Sequence, residues 1–558
     1  MDAALRRVSP ALPSTARLAL GLPMLALFAA PLAVALATAA AEVASADGWR
    51  ALGADPQFLP ALRLSLVTGL GSTALALVVV LWWVPRLHGG AAWAWMMRVL
   101  GPVLSLPHLA FAIGLALLVT PSGVLMRLLA PWAGWDAPPP WPTVNDGWGL
   151  ALVVALVAKE VPYLLWNVAA LLHQGHEGAR LQRERTVAAS MGYGPVRAWH
   201  RLLWPQLLPR LAWPLAAVLA YGITVVDMAV VLGPTTPPTL GVLAWQWLLD
   251  ASPQRQAQGA AAVGVLCALW LSTLALAVLT WRLSQRWRRR RATRGDRGSA
   301  SRRAPVSGPA LLGAGIALYG LVMLAVLGVS FVGVWPFPDL VPERWTAQAW
   351  AQALRQPVVL GHTLGLALVS SSAAVLLVMA WMEATPARWD LRSAPALYAP
   401  MVLPSLLLTL GLYRGALALG LDGTWWTVAW AHGLFVLPYV WVALAPAYRA
   451  YDARYRQVAV SLRGSEWRHW WAIKLPLLRA PLAAAWAVGV AVSVAQFLPT
   501  QFLGAGRVPT ATTEALTLAA GGQRHTLAAF AALQMLVPVL AFAAAARIGH
   551  RAAWRERT

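Results

Sequence analysis

Three ionisable side chains sit in stretches otherwise suited to hydrocarbon. Lys159 and Glu160 lie near the centre of GLALVVALVAKEVPYLLWNVAAL, and Asp227 lies inside YGITVVDMAVVLG. Charges at such positions cost about 3 kcal/mol each on insertion scales and face the interior of a helix bundle. Successive helical residues point about 100° apart, so Lys159 and Glu160 need not pair with each other. Two roles fit them. One is a structural salt bridge to another span, with Asp227 as the partner for Lys159. The other is a polar element of a gate or solute route, opened locally by Pro162 one turn on and by Pro438 later in the chain.

The rest of the inventory excludes most chemistry. The histidines are scattered without metal-ligand spacing, so no metal site is expected. No Ser/His/Asp or Cys/His arrangement supports catalysis. The single cysteine, Cys267, lies in a hydrophobic run, which excludes an intrachain disulfide and reads as a small buried hydrophobe. There are two lysines, Lys159 followed by Glu160 and Lys474 followed by Leu475, so no Gly-Lys-Ser/Thr phosphate loop exists.

The elements that must hold these residues are set by composition. Of 558 residues 59% are hydrophobic and 12% charged, with mean hydropathy +0.60; a soluble chain carries about a quarter charged residues. Twelve apolar runs approach or exceed the roughly 20 residues that cross a bilayer, near 18–41, 62–84, 99–119, 149–172, 212–232, 260–281, 310–333, 361–382, 396–416, 426–446, 481–502 and 526–546. The expected fold is therefore all-α and polytopic. The net charge of +23 does not point to nucleic acid, because the arginines alternate from loop to loop as the positive-inside rule requires. Arg6, Arg7 and Arg17 precede the first run, whereas 42–60 holds Glu42, Asp47 and Asp55 against Arg50. Six arginines follow in 173–211, ten in 282–303, and four more (Arg547, Arg551, Arg555 and Arg557) at the end. Both termini are thus expected in the cytoplasm of a multi-pass inner-membrane protein. The first run is longer than the 7–15 residues of a signal h-region and reads as an uncleaved anchor.

An Arg-rich segment, 287–309, has the composition of a solvated linker and divides the chain into halves, 1–286 and 310–558. The halves repeat. Leu62/Leu360, Leu66/Leu364, Ser72/Ser370 and Trp83/Trp381 coincide without a gap, Pro107…Gly114 matches Pro404…Gly411, and Pro162-Tyr163 matches Pro438-Tyr439. Feature order and handedness agree, as in a parallel duplication with a pathway between its halves. The positions equivalent to Lys159 and Glu160 are Phe435 and Val436, so any solute contact there is asymmetric. The Trp- and Pro-rich segment 120–148 suits an interfacial aromatic belt or a docking surface for a solute-binding protein.

The duplication carries two basic segments, RTVAASMGYGPVRAWHRLLWP at 185–205 and QVAVSLRGSEWRHWWAIKLP at 457–476, within the basic regions 177–211 and 448–480. Each reads as helix, break, helix. Gly192 suits a left-handed turn and Pro195 the first turn of the second helix. Val196, Trp199 and Leu203 share one face, and Arg197 and Arg201 another. In the second copy Ser465 reads as an N-cap with Glu466 in the first turn, and Trp467, Trp470 and Trp471 as the apolar face. Pro205 and Pro476 are expected to end the units. A basic amphipathic helix can lie on a membrane surface, but two copies at equivalent places suit a two-fold symmetric partner.

These segments resemble the EAA loop of binding-protein-dependent ABC importer permeases, with a small-residue start, a glycine and a closing I-x-L-P. The first copy keeps Ala188, Gly192 and Pro205; Thr186 replaces the leading Glu, and Leu202-Leu203-Trp204 replaces I-x-L. The second keeps Ala459 and Ile473-Lys474-Leu475-Pro476, with Gln457 for the Glu and Arg463 at the glycine position, one residue before Gly464. The resemblance extends to fused permeases of the ferric iron and thiamine type and to the YnjC-like group. It implies the type I permease fold, ATPase-coupling roles for Ala188, Gly192, Trp199, Pro205, Ala459, Arg463, Gly464, Trp470 and Pro476, and two copies of an ABC ATPase as partners. It also implies a periplasmic solute-binding protein. ATP and Mg would be bound by the ATPase and no cofactor by this chain. LAAGGQR at 518–524 only superficially matches the ATPase signature LSGGQ, because no nucleotide-binding domain surrounds it. The rival is a proton-coupled secondary transporter with six plus six helices, with Glu160 or Asp227 carrying the proton. The resemblance does not specify the solute.

Overall fold

The computed structural model describes residues 14–173, 175–285, 307–452, 454–462 and 465–555. Most of the Arg-rich linker, together with Arg463 and Gly464, lies outside them. The described residues are helical apart from turns, loops and one isolated bridge between Val332 and Trp345. Among the described residues ten helices are long and apolar enough to cross a membrane. Two further pairs, Pro195–Leu207 with Ala212–Thr224 and Arg388–Val402 with Ser405–Ala418, reach that length only together, bent by 82° and 96°. If each bent pair is one span, the total is the twelve expected.

Two of the expected spans in each half are broken rather than continuous. The run at 99–119 is two helices, Ala91–Ser105 and His108–Val119, and the run at 396–416 divides between Arg388–Val402 and Ser405–Ala418. The cause is the matched prolines. A proline disfavours helical backbone in the residue before it, so Leu106 and Leu403 turn to ψ of 122° and 150°, and Pro107 and Pro404 start the next helices. The runs at 212–232 and 481–502 also break, after Thr224 and Val494, and resume at Asp227 and Leu498. The residues before the second pieces, Val226 and Phe497, have nearly the same backbone, φ/ψ of −114°/−54° and −101°/−62°.

Hydrogen bonds repeat along with the backbone. The Leu240 amide donates to Ser65 Oγ over 2.9 Å, and the Ala511 amide donates to Thr363 Oγ1 over 2.8 Å, each pinning the start of a short helix to the second span of its own half. Ser65 and Thr363 fall at equivalent positions in the ungapped match of the two halves. These repeated bonds give the duplication a structural basis beyond sequence identity.

The halves interlock through their first spans. Helix Ala30–Val43 packs on Ser405–Ala418 of the second half, while Ser307–Val329 packs on His108–Val119 of the first. Helices in lipid gain little hydrophobic drive from each other and associate through close packing of small residues. The repeated glycines supply that closeness. A Cβ on Gly411 would lie 1.8 Å from the Ala35 carbonyl oxygen, and one on Gly114 would lie 2.6 Å from Val322 Cγ1. Thr38 Oγ1 then donates to the Gly411 carbonyl over 3.0 Å. On their outer faces the spans leave Leu27, Val34, Leu276 and Val278 exposed, as lipid-facing surface requires.

At the end opposite the basic loops a second tie joins the halves. Arg127, buried in helix Val124–Ala133, donates to the carbonyls of Trp335, Pro336 and Asp339, and its guanidinium lies 4.1 Å from the Trp335 ring centroid.

Candidate coupling knobs and a polar centre in the membrane

In the first basic segment, helix Gly175–Ser190 ends at Gly192, whose φ of +83° is the left-handed turn expected there. The next helix starts at Pro195 and runs to Leu207. Trp199 and Leu203 are buried on one face and Val196 partly so, while Arg197 is exposed on another. Trp199 is 1% exposed, with its ring 5.3 Å from both His88 and Trp204, in a cluster with Val84, Leu87, Trp93 and Met96. Ala188 is buried behind the turn, whereas Val187 and Met191 are exposed. His88 also meets Arg185. Burial, then the nearby charges of Arg185 and His173, pushes the His88 imidazole down to about 4.

The prolines do not end the units. In each copy a wide π turn, Trp199–Leu203 or Trp470–Lys474, precedes the proline, and the helix continues through Pro205 or Pro476. Proline lacks the amide that an α-turn would use and crowds the preceding turn; an inserted π turn relieves both. The turns fall in register in the two copies.

The second knob differs in its anchoring. Ser465 caps its helix as expected, accepting from the Arg468 amide over 3.1 Å. The three tryptophans do not form a buried face. Trp467 and Trp471 are 72% and 48% exposed, with rings 5.3 Å apart, and Trp470 is half-buried. What tethers this helix is ionic. Lys474 pairs with Glu383, which also accepts from the Tyr448 hydroxyl. Arg456 meets Glu466 at 2.7 Å and the Tyr451 hydroxyl meets His469 Nε2 at 2.9 Å; beside the knob, Arg449 grips Asp390 at 2.6 Å while donating to the carbonyls of Met382 and Thr385. Ala459 lies on helix Arg454–Ser461; Arg463 and Gly464, between that helix and the cap, are outside the described residues.

In the membrane centre Lys159 and Asp227 do not form the salt bridge that one of the two readings allowed. Lys159 is 3% exposed and donates to the Leu106 carbonyl over 2.7 Å, with the rings of Phe111 and Tyr319 at 5.9 and 5.8 Å. Leu106 is where the chain breaks before Pro107, so the ammonium satisfies a carbonyl that the broken helix leaves without a partner. Asp227 instead accepts from the Tyr221 hydroxyl over 3.1 Å, at the start of the short helix Asp227–Leu232. Glu160 lies within electrostatic reach of Lys159 and of Tyr163, Tyr221, Tyr319 and Tyr439. Tyr163 and Tyr439 are duplicates of each other and also within reach of one another, which places this cluster between the halves.

Sequence reasoning missed a buried polar chain in the second half. His432, 2% exposed, hydrogen-bonds Ser493 Oγ through Nδ1 and Thr500 Oγ1 through Nε2, both at 2.8 Å. Ser370 Oγ donates to Ser493 over 3.1 Å. The chain straddles the break between Val494 and Leu498 and holds no carboxylate, so it lacks the third member of a hydrolytic triad. Its sequence signal was weak: one histidine and two hydroxyls, 61 and 68 residues apart. Among the described residues no group of three His, Cys, Asp or Glu is placed to hold a metal.

No protein-family model matches the chain. It is 35% identical over 525 residues to the inner membrane ABC transporter permease protein YnjC of Escherichia coli (strain K12), a match that covers 94% of this chain and 95% of that protein.

Proposed function

The chain belongs to the ABC transporter permease family, as a transport subunit rather than an enzyme, and from that premise we propose that it is the fused pore of an importer whose two knobs seat two ATPase subunits. Family membership decides against the proton-coupled rival. The observation that carries the proposal is the duplicated knob: a short helix with a π turn just before Pro205 or Pro476, at the same place in each half. Ala188, Gly192, Trp199, Pro205, Ala459, Arg463, Gly464, Trp470 and Pro476 are its residues. The basic loops and both termini face the cytoplasm, and ATP and Mg are held by the partner. A periplasmic binding protein delivers the solute to the opposite end, near the Arg127 tie.

The anchoring suggests how the knobs act. Trp199, held between His88 and Trp204, ties the first knob to the end of helix Gly71–Leu87. Lys474 ties the second to Glu383 at the equivalent end of Pro357–Ala384. Approach of two ATPase subunits would then pull on matched helices of the two halves and shift the balance between inward- and outward-open states, each partner favouring the state it binds better. The solute path runs through the cluster of Lys159, Glu160 and Asp227.

The test is affinity capture of the tagged chain from gently solubilised membranes, beside a variant with 186–205 and 457–476 replaced by Gly/Ser linkers and shown to insert. Capture of an ATPase by the native chain alone is expected. Repeated capture of none by stable native preparations would refute the proposal.

A further inference from the structure

The two broken runs at 212–232 and 481–502 share a backbone but not a chemistry. Val226 and Phe497 have matching φ/ψ, and counting from them pairs Leu240 with Ala511, whose amides make the equivalent bonds described above. The same count pairs Gly222 with Ser493, Ala229 with Thr500 and Gly241 with Thr512, and the proline match of the preceding spans pairs Leu156 with His432. Each of these second-half polar residues thus has an apolar, buried counterpart in the first half.

The second break is clasped from outside. His432, on helix Trp425–Arg449, reaches Ser493 before the break and Thr500 after it, both at 2.8 Å. Thr500 Oγ1 gives its own proton to the Gln496 carbonyl over 2.9 Å. It therefore accepts from His432 Nε2–H, which leaves Nδ1 to accept from the Ser493 hydroxyl. Thr512 donates to the Val494 carbonyl, which the break leaves without an intrahelical partner. With no water in a membrane core to take over these bonds, the two pieces cannot shift without baring a buried polar group.

The first break has no such clasp. The Tyr221 hydroxyl joins its two pieces through Asp227 at 3.1 Å, but both residues belong to the broken run and move with it. Among the described residues no side chain of a neighbouring helix hydrogen-bonds to both pieces. The neighbours meet it through glycine. A Cβ on Gly69 would lie 2.8 Å from Ile223 Cα, and one on Gly241 would lie 3.3 Å from the Val225 carbonyl oxygen. Packed surfaces without such bonds can slide in small shear steps. Water admitted there would hydrate the Asp227 carboxyl group, whereas Leu498 at the equivalent position gains nothing from it.

We propose that the break at 225–226 is the moving gate of the pathway and that the break at 495–497 is its fixed wall, held by His432. The inference rests on the permease reading for there being a pathway and adds which half moves.

Val226→Cys and Phe497→Cys, each in a Cys267→Ala chain, place a thiol at equivalent buried positions of the two breaks. N-ethylmaleimide reacts with the thiolate, which forms where water reaches the sulfur. Its labelling rate in membranes containing the whole transporter therefore reads opening. Val226→Cys is expected to label about tenfold faster than Phe497→Cys. Its rate should change when a non-hydrolysable ATP analogue is added, and that of Phe497→Cys should not. The larger cavity left by phenylalanine biases the comparison against this result. Adding His432→Leu, the residue type of the first half, should raise the Phe497→Cys rate about tenfold, as loss of one or two buried hydrogen bonds would. The Val226→Cys rate should stay the same. Should His432→Leu fail to insert, Thr500→Ala removes one bond of the clasp and carries the comparison. Equal rates at the two breaks, a nucleotide response at Phe497→Cys, none at Val226→Cys, or no effect of the clasp variants overturns the proposal. ATPase capture from the same membranes separates the two readings. Capture with equal labelling sinks only the gate, and absence of capture sinks the coupling proposal beneath it.

Discussion

Replacing Gly411 by alanine tests the interlock between the halves. The added Cβ would lie 1.8, 2.5 and 2.9 Å from the oxygen, carbon and Cα of Ala35, whereas ordinary contact begins at 3.4 Å. Helices Ser405–Ala418 and Ala30–Val43 must therefore part by more than 1 Å locally, and backbone atoms cannot rotate aside as a side chain would. Overpacking of this kind costs about 1–3 kcal/mol. The Thr38 bond to the Gly411 carbonyl weakens as well, worth about 0.6 kcal/mol inside a membrane. Alanine recovers up to about 1 kcal/mol of helix propensity, leaving a net loss of about 1–3 kcal/mol. The control is Gly415→Ala on the same helix, where an added Cβ meets nothing within 4 Å. It gains the same propensity without the clash and should be neutral or slightly stabilising. Gly114→Ala meets mainly the methyls of Val322 and Val326 and should fall between the two. Unfolding by dodecyl sulfate in mixed micelles, followed by tryptophan fluorescence, measures all three. Gly411→Ala as stable as Gly415→Ala would refute the close crossing and the interlock built on it.

Lys474→Met strands the Glu383 carboxylate in a half-buried site and should cost about 1–3 kcal/mol, between the ranges for surface and buried pairs. The double variant with Glu383→Gln should recover part of that, read as protease resistance of residues 454–476 in a double-mutant cycle. The His88 imidazole titrates near 4 against an ordinary 6.5. The unfolded chain therefore takes up a proton below pH 6.5 that the folded one refuses until about pH 4. Stability falls progressively through that window, and on its acid side a protonated His88 faces Arg185. Amide exchange across 195–203 should accelerate from pH 7 to pH 5, and less so in His88→Gln. Arg127→Met should loosen the tie to the 335–339 carbonyls and speed exchange in 331–346 without altering ATPase capture.

The sequence announced what depends on local pattern. Apolar runs located the spans, paired prolines and glycines located the duplication, and Gly192 and Ser465 behave at the knobs as their residue types require. Longer-range features were less legible. That Gly114 and Gly411 exist for the first span of the opposite half depends on tertiary packing, which periodicity does not report. A salt bridge from Lys159 to Asp227 was one of the two roles open to it, because charges attract. A carbonyl exposed by Pro107 was nearer, and backbone acceptors carry no sequence label. Trp467, Trp470 and Trp471 were read as one apolar face, and that pattern does not say what the face meets; Lys474 reaches Glu383, 91 residues away, and the Trp467 and Trp471 rings stay exposed. Pro205 and Pro476 were expected to stop helices, but the π turns before them let the helices continue.

The central claim is that both knobs contact the same ATPase. With Cys267→Ala as a cysteine-free background, Val187→Cys and Trp467→Cys place one thiol on each knob at positions 56% and 72% exposed in the native chain. In membranes containing the whole transporter, a short thiol cross-linker should join each variant to one and the same ATPase polypeptide. The yield should change when a non-hydrolysable ATP analogue is added. Cross-linking from neither site, or from the two sites to unrelated proteins, would contradict the account.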